Sequence, residues 1–171
     1  MPLYLYRVQP ALAVAFRALY RPGEWQLSLR ARSAAASVDL RLKKEQALLL
    51  RESLVAAADT YADSRFPVSR IAPCPADSPL LLLPCDLEAA AEQVKVLRHP
   101  QKRLLAIEAR GRVSEADFLA EIWGTPEQLL ALAEQIGLVC QQADSLCPIC
   151  GLPIEGESHR CRLGNLDRHG A

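Results

Sequence analysis

Cys147, Cys150, His159 and Cys161, in the C-terminal stretch CPICGLPIEGESHRC, are the side chains whose types and spacing could do chemistry. Two thiols three residues apart can be aimed at one ion by a tight turn, and thiolates with an imidazole are ligands that hold Zn2+ tetrahedrally. Gly151 follows the first pair and can take the left-handed conformation that brings backbone N–H groups towards the sulfurs. His159 and Cys161 are separated by one residue, and an extended segment sends such alternate side chains to the same face. A Cys3His set fills all four positions around the metal, which predicts a structural site rather than a catalytic one.

Other uses of these residues compete with that reading. A Cys-x-x-Cys pair can cycle through a disulfide, but such a pair normally opens a helix, and Gly151-Leu152-Pro153 does not readily start one. Cys140 is an alternative to His159 as fourth ligand, although its place on an apolar helical stripe suits a core thiol better. Cys74 and Cys85 flank a proline-rich segment and read as unpaired thiols. His169, near the C-terminal end, reads as part of a frayed polar terminus.

The elements that must carry this site are those of an α+β protein. Of 171 residues, 50% are apolar, enough for one substantial core or two small ones that share a face. Twenty basic and twenty acidic residues cancel, so no global field draws the chain to nucleic acid, an anionic membrane or an acidic substrate. No run reaches the roughly 18–20 apolar residues of a membrane span. The start, MPLYLYRVQP, has no basic n-region and places Arg7 where a signal peptide would be apolar, so a soluble, cytoplasmic protein is expected. Clustered cysteines with a histidine suit a reducing compartment and a metal better than a disulfide framework.

Residues 3–8, 11–20 and 25–32 are β-compatible, and Arg21-Pro22-Gly23-Glu24 predicts a hairpin turn between the last two. Residues 37–42 alternate with period two, Val38, Leu40 and Leu42 on one side. A helix is predicted over 43–63 on the stripe Ala47, Leu50, Leu54, Ala58 and Tyr61, without a good N-terminal cap. The proline-rich stretch 64–85 is expected to be a connection with one extended segment, 80–83, and 86–93 a helical turn. Strands follow at 94–98, 103–110 and 117–123. Thr125-Pro126-Glu127-Gln128 is a capping box with Pro at the first helical position, opening a helix with Leu129, Leu132, Ala133, Ile136 and Cys140 on its apolar stripe. Gly137 predicts fraying or an end there.

The two halves share this order. In each, a strand ends in Ala-Arg, another strand follows, and Glu-Gln opens a helix. The expected architecture is therefore a duplicated hairpin-strand-helix unit, βββα-like, with two three-stranded units sharing one core. This domain spans 1–143, with halves of about 1–63 and 86–143 joined by 64–85. Residues 144–171 form a small C-terminal zinc knuckle.

The repeat, with CPICG, a short spacer and His159-x-Cys161 followed by Asn165, resembles a bacterial domain-of-unknown-function family of uncharacterised repeat proteins. The resemblance covers nearly the whole chain and is sharpest from Cys147 onwards. Where that family reads Gly-His-x-Cys-Pro-Arg-x-Asn, this chain reads Ser158-His159-Arg160-Cys161-Arg162-Leu163-Gly164-Asn165. The resemblance implies metal ligation by Cys147, Cys150, His159 and Cys161, and implies no established activity.

Two functional classes follow. The first is a non-enzymatic protein-binding or adaptor module whose knuckle shapes a docking surface, with Trp25 and Trp123 as anchors if exposed. From Cys147 on, three Arg balance two Glu and one Asp, so a protein partner is favoured over nucleic acid, and no membrane is expected. The alternative is a metal-dependent or other small-molecule enzyme with a site between the repeats. Its candidates are His99 in a turn and Glu108 and Glu121 in strands, with no phosphate loop or nucleophile elbow beside them.

Overall fold

In the computed structural model, which describes residues 3–21, 24–62, 64–99, 101–147, 149–154 and 161, these patterns become eight strands and three helices among the described residues. In chain order they are β1 (Leu3–Val8), β2 (Ala13–Arg21), β3 (Glu24–Arg32), β4 (Ser37–Leu42), α1 (Lys44–Asp59), α2 (Pro79–Leu82), β5 (Leu87–Ala90), β6 (Gln93–Arg98), β7 (Leu105–Val113), β8 (Ala116–Gly124) and α3 (Pro126–Asp144). The α+β class read from the sequence holds. Alternation sets the faces: Val38, Leu40 and Leu42 of β4 enter the core, while Ser37, Asp39 and Arg41 point the other way.

The strands form two four-stranded sheets, ordered β1-β8-β7-β6 and β2-β3-β4-β5. This corrects the expectation of two three-stranded units. Each sheet takes three consecutive antiparallel strands from one half and a parallel edge strand from the other, β1 beside β8 and β5 beside β4. The exchange is built twice with matching backbone bonds. Ala11 N–H donates to Trp123 O at 2.9 Å, and Ala91 N–H to Arg41 O at 2.9 Å; Leu12 N–H reaches Arg32 O and Glu92 N–H reaches Arg110 O, both at 2.8 Å. The helices cross over as well, for Phe16 N–H of β2 donates to Gln135 Oε1 of α3 at 2.7 Å.

The glutamines that open both long helices help to hold this crossing. Gln128 Oε1 accepts from Thr125 N–H at 3.0 Å while its Nε2 donates to Ala11 O at 3.2 Å, just beyond β1. Gln46 Oε1 accepts from Lys43 N–H at 2.8 Å while its Nε2 donates to Ala91 O at 3.1 Å, just beyond β5. So α1 does have a cap: Lys43 offers no acceptor, but the return bond from position N3 forms.

Three further expectations are corrected. Residues 86–93 do not form a helical turn; β5 forms there because pairing along β4 satisfies its backbone and buries Leu87 and Ala89, which outweighs local preference. Asp86 sets the entry by accepting from Ser37 Oγ at 2.7 Å and Ser37 N at 2.8 Å, bonds that hold its carboxyl below the usual range. Residues 80–83 are not an extended segment: Pro79 starts the α2 turn, which drops Leu81 onto Ala13 and Ala15, small residues that leave room for it. Gly137 does not end α3, which continues to Asp144; a Cβ there would lie 2.9 Å from Arg51 Nε, so glycine admits close approach of α1.

The inner faces of both sheets, α1 and α3 share one core, including Phe16, Leu40, Leu54, Ile107, Phe118 and Leu132. At the start of α3, Arg103 grips Glu127 through Nη2 at 2.6 Å and Nη1 at 2.9 Å. The Arg103 hydrogen bonds hold the Glu127 carboxyl below its ordinary 4.5 despite partial burial. A carboxyl lowered on folding stabilises the fold above its unfolded value and loses that contribution as pH falls through the folded one. Urea midpoints should therefore decline more steeply below pH 4.5 in the wild type than in Glu127→Gln, the two curves converging in acid.

Candidate metal centre

The chain leaves α3 at Ser145 and turns back on itself. Leu146 bridges Pro153, Cys147 N–H donates to Leu152 O at 2.8 Å, Gly151 N–H to Cys147 O at 2.8 Å, and Ile154 N–H to Ser145 O at 2.9 Å. Gly151 carries φ +70°, the left-handed conformation that its place after the second thiol anticipates. It rests against the ring of Tyr20, whose hydroxyl donates to Ile149 O and ties the loop to the end of β2. Tyr20 in turn packs on Trp25 across the hairpin, ring centroids 5.2 Å apart. The central turn residues of that hairpin, Pro22 and Gly23, lie outside the described residues.

Three of the four sequence-predicted ligands come together. The sulfurs of Cys147, Cys150 and Cys161 all lie within 4.8 Å of one another. Tetrahedral thiolates at Zn–S distances of about 2.3 Å require sulfur separations of about 3.8 Å, so small side-chain adjustments suffice. The backbone N–H of Cys150, with that of Ile149, points at the Cys147 sulfur; these and hydrogen bonds from the neighbouring thiols bring its thiol down to about 6 against the effect of burial. The Cys150 sulfur receives the Leu152 N–H, which lowers its thiol, but burial and the neighbouring Cys147 and Cys161 sulfurs leave it raised overall. Three convergent thiols, one of them held low, are a donor set that can hold a metal ion, which displaces protons from thiols as it binds.

His159 lies outside the described residues, as does His169. Cys140 is not in the cluster: it is 3% exposed within the core on α3, where burial raises its thiol. Cys74 packs beside Leu81, and no disulfide joins the described cysteines.

The residues considered for an enzyme are placed on other tasks. His99 Nδ1 accepts from Gln101 N–H and Lys102 N–H, both at 3.1 Å, and so organises its own turn. Glu108 and Glu121 fall directly opposite each other on the outer face of the β7–β8 pair. Cations neutralise them: Lys95 at 2.9 Å and Arg110 at 3.0 Å on Glu108, Arg7 at 2.7 Å on Glu121. Although burial raises the Glu108 carboxyl, the Lys95 and Arg110 hydrogen bonds leave it below the usual range, so it holds no proton to donate near neutrality. Trp25 and Trp123 are both half-buried, which removes them as fully exposed anchors.

One charged group is assembled only by the fold. Arg30 and Asp39, both buried, form an ion cluster with the half-buried Arg17 on the outer face of the β2–β5 sheet. Its signal was present in the alternation, since these are outward positions of three neighbouring strands, but only the strand register brings them side by side.

The sequence profile of the family described as "Protein of unknown function (DUF3090)" matches residues 8–161, a span that takes in β2 to β8, both long helices and all four predicted ligands but only the last residue of β1. No curated protein and no solved structure matches the chain.

Proposed function

The chain belongs to the DUF3090 family, and from that premise we propose that residues 144–171 form a structural zinc knuckle that presents a docking surface for a protein partner. The observation that carries the reading is the convergence of three cysteine sulfurs within 4.8 Å at the end of α3. His159 supplies the fourth ligand, and the resulting Cys3His set leaves no open position for water or substrate. Such a site contributes folding free energy to its loop and performs no reaction.

Docking is supported by what the loop exposes. Ile149, Leu152 and Ile154 are 45, 52 and 41% exposed, three aliphatic side chains on one short loop. The balanced charge from Cys147 onwards offers no excess cation to a phosphate backbone, which favours a protein over nucleic acid. The body behind the knuckle is a non-enzymatic adaptor scaffold working in the reducing cytoplasm, and its doubled strand-strand-strand-helix order reflects an internal duplication.

Chain purified under reducing conditions should carry one zinc ion, and X-ray absorption at the zinc edge should return three sulfur neighbours and one nitrogen. Cys147→Ser should lose most of the metal. Substoichiometric zinc together with unchanged metal content in Cys147→Ser defeats the proposal. The described ligands number three, so three sulfurs with a water oxygen would instead favour the second reading, a metal-dependent enzyme with an open position. Ile149→Ser combined with Leu152→Ser should keep the zinc and lose the partner that wild-type protein captures.

A further inference from the structure

Charged side chains on the outer face of a sheet are ordinarily solvated, yet Arg30 and Asp39 are only 9 and 8% exposed. The α2 turn covers their end of the sheet: Leu81 O accepts from Arg30, and Leu83 O accepts from Arg32 Nη2 at 3.2 Å. What remains open beyond the turn is a cleft of about 220 Å³ with Arg17, Arg21, Arg30, Arg41, Asp39 and Glu88 in its lining. That is smaller than the roughly 300–1,000 Å³ of sites for larger organic ligands, so the cleft suits a small one.

Its charges are arranged for an anion. Asp39 Oδ2 accepts from Arg17 Nη2 and from Arg30 Nε, both at 2.9 Å, and so holds two planar guanidiniums in fixed positions. Ser28 Oγ adds a second hold on Arg17, accepting from its Nε at 3.2 Å. Arg30 Nη2 also lies 3.7 Å from Glu88. Arg21 and Arg41 have no acidic partner among the described residues, so four guanidiniums face two carboxylates. The surplus of two positive charges matches the −1.5 to −2, approximately, of a phosphate monoester at neutral pH. Guanidinium forks are suited to bidentate recognition of such oxygens.

A second observation comes from the acceptors. Asp39 and Gln26 are among the residues that line the same cleft, and each has an oxygen, Oδ1 and Oε1, that is buried without a hydrogen-bond partner among the described residues. A buried acceptor without a donor is costly, and a hydroxyl carried near the phosphate would supply one. We propose that this cleft binds a phosphoryl dianion, free or borne on a small hydroxylated ester. The proposal stands independently of the zinc knuckle.

Titration of the full chain with glycerol phosphate, followed by amide NMR, should give saturable shifts centred on β2, β3 and β4. Arg21→Gln and Arg41→Gln alter exposed side chains that have no acidic partner among the described residues, and should leave the fold intact while each weakens binding about tenfold, the loss of one charged hydrogen bond. Arg98→Gln, on the other sheet, should change nothing. Tighter binding of glycerol phosphate than of inorganic phosphate assigns the ester; equal binding assigns the free anion. A response that is linear in both, or an Arg98→Gln effect as large as that of Arg41→Gln, overturns the proposal.

Discussion

Replacing Asp39 by Ala is expected to cost about 3–5 kcal/mol, the usual penalty for removing one partner of a buried ion pair. The size follows from geometry. One carboxylate oxygen receives both Arg17 and Arg30 at 2.9 Å, so a single truncation leaves two guanidiniums without their shared counterion. Arg30 cannot escape into water easily, because it is 9% exposed and its remaining Nη1 bond is to Leu81 O under the α2 turn. Asp39→Asn keeps an acceptor but no charge and should fall between wild type and Ala. Urea midpoints at constant m measure both, and an Asp39→Ala change under about 1 kcal/mol, the range of exposed pairs, would show the cluster to be solvated after all.

The second large effect is expected at the seam between the sheets. A Cβ on Gly111 of β7 would lie 2.6 Å from Ala90 O of β5 and 2.8 and 3.0 Å from two ring carbons of Phe118. The ring could shift, but the Ala90 carbonyl is backbone of the strand that crosses from one half into the other sheet. Overpacking of this kind costs about 1–3 kcal/mol and sometimes more, and here the upper end applies because the obstacle is main chain. Phe118→Ala should itself cost about 3–5 kcal/mol, the ring being 1% exposed in the core. The combination separates the two contacts: with the ring removed, adding the Gly111 methyl should cost less than in the wild type yet still be unfavourable. Full additivity would mean the ring never opposed the methyl.

How much of this was legible in the sequence can be judged element by element. The strand at 37–42 and the helix from Pro126 are legible because their signals are local: a period-two alternation, and a capping box in four consecutive residues. The matching Glu-Gln pairs are visible in the sequence, but not that Gln46 and Gln128 each bind the backbone just after the crossing strand, contacts between residues 45 and 117 positions apart. The sequence of β5, Leu-Glu-Ala-Ala, favours a helical turn by local propensity, which is why a turn is expected there. These residues become a strand only when β4 offers an edge. The α2 turn is hidden for the converse reason, since four leucines in a row look extended until a shallow patch of alanines receives one of them.

The sequence by itself determined the chemistry available at the C-terminal end. Cysteine spacing and a glycine after the second thiol are short-range properties, and the turn they specify forms with Gly151 at φ +70° and the three sulfurs convergent. It also determined the strand faces, because side-chain alternation follows from backbone geometry alone. Which strands become neighbours was decided only by tertiary structure: β1 and β5 each reach the opposite half, where a parallel edge satisfies their backbone and buries one of their faces. The same holds for the arginine cleft. Arg17, Arg30 and Asp39 are unremarkable outward residues on three strands, and pairing in one register is what turns them into a shared electrostatic site.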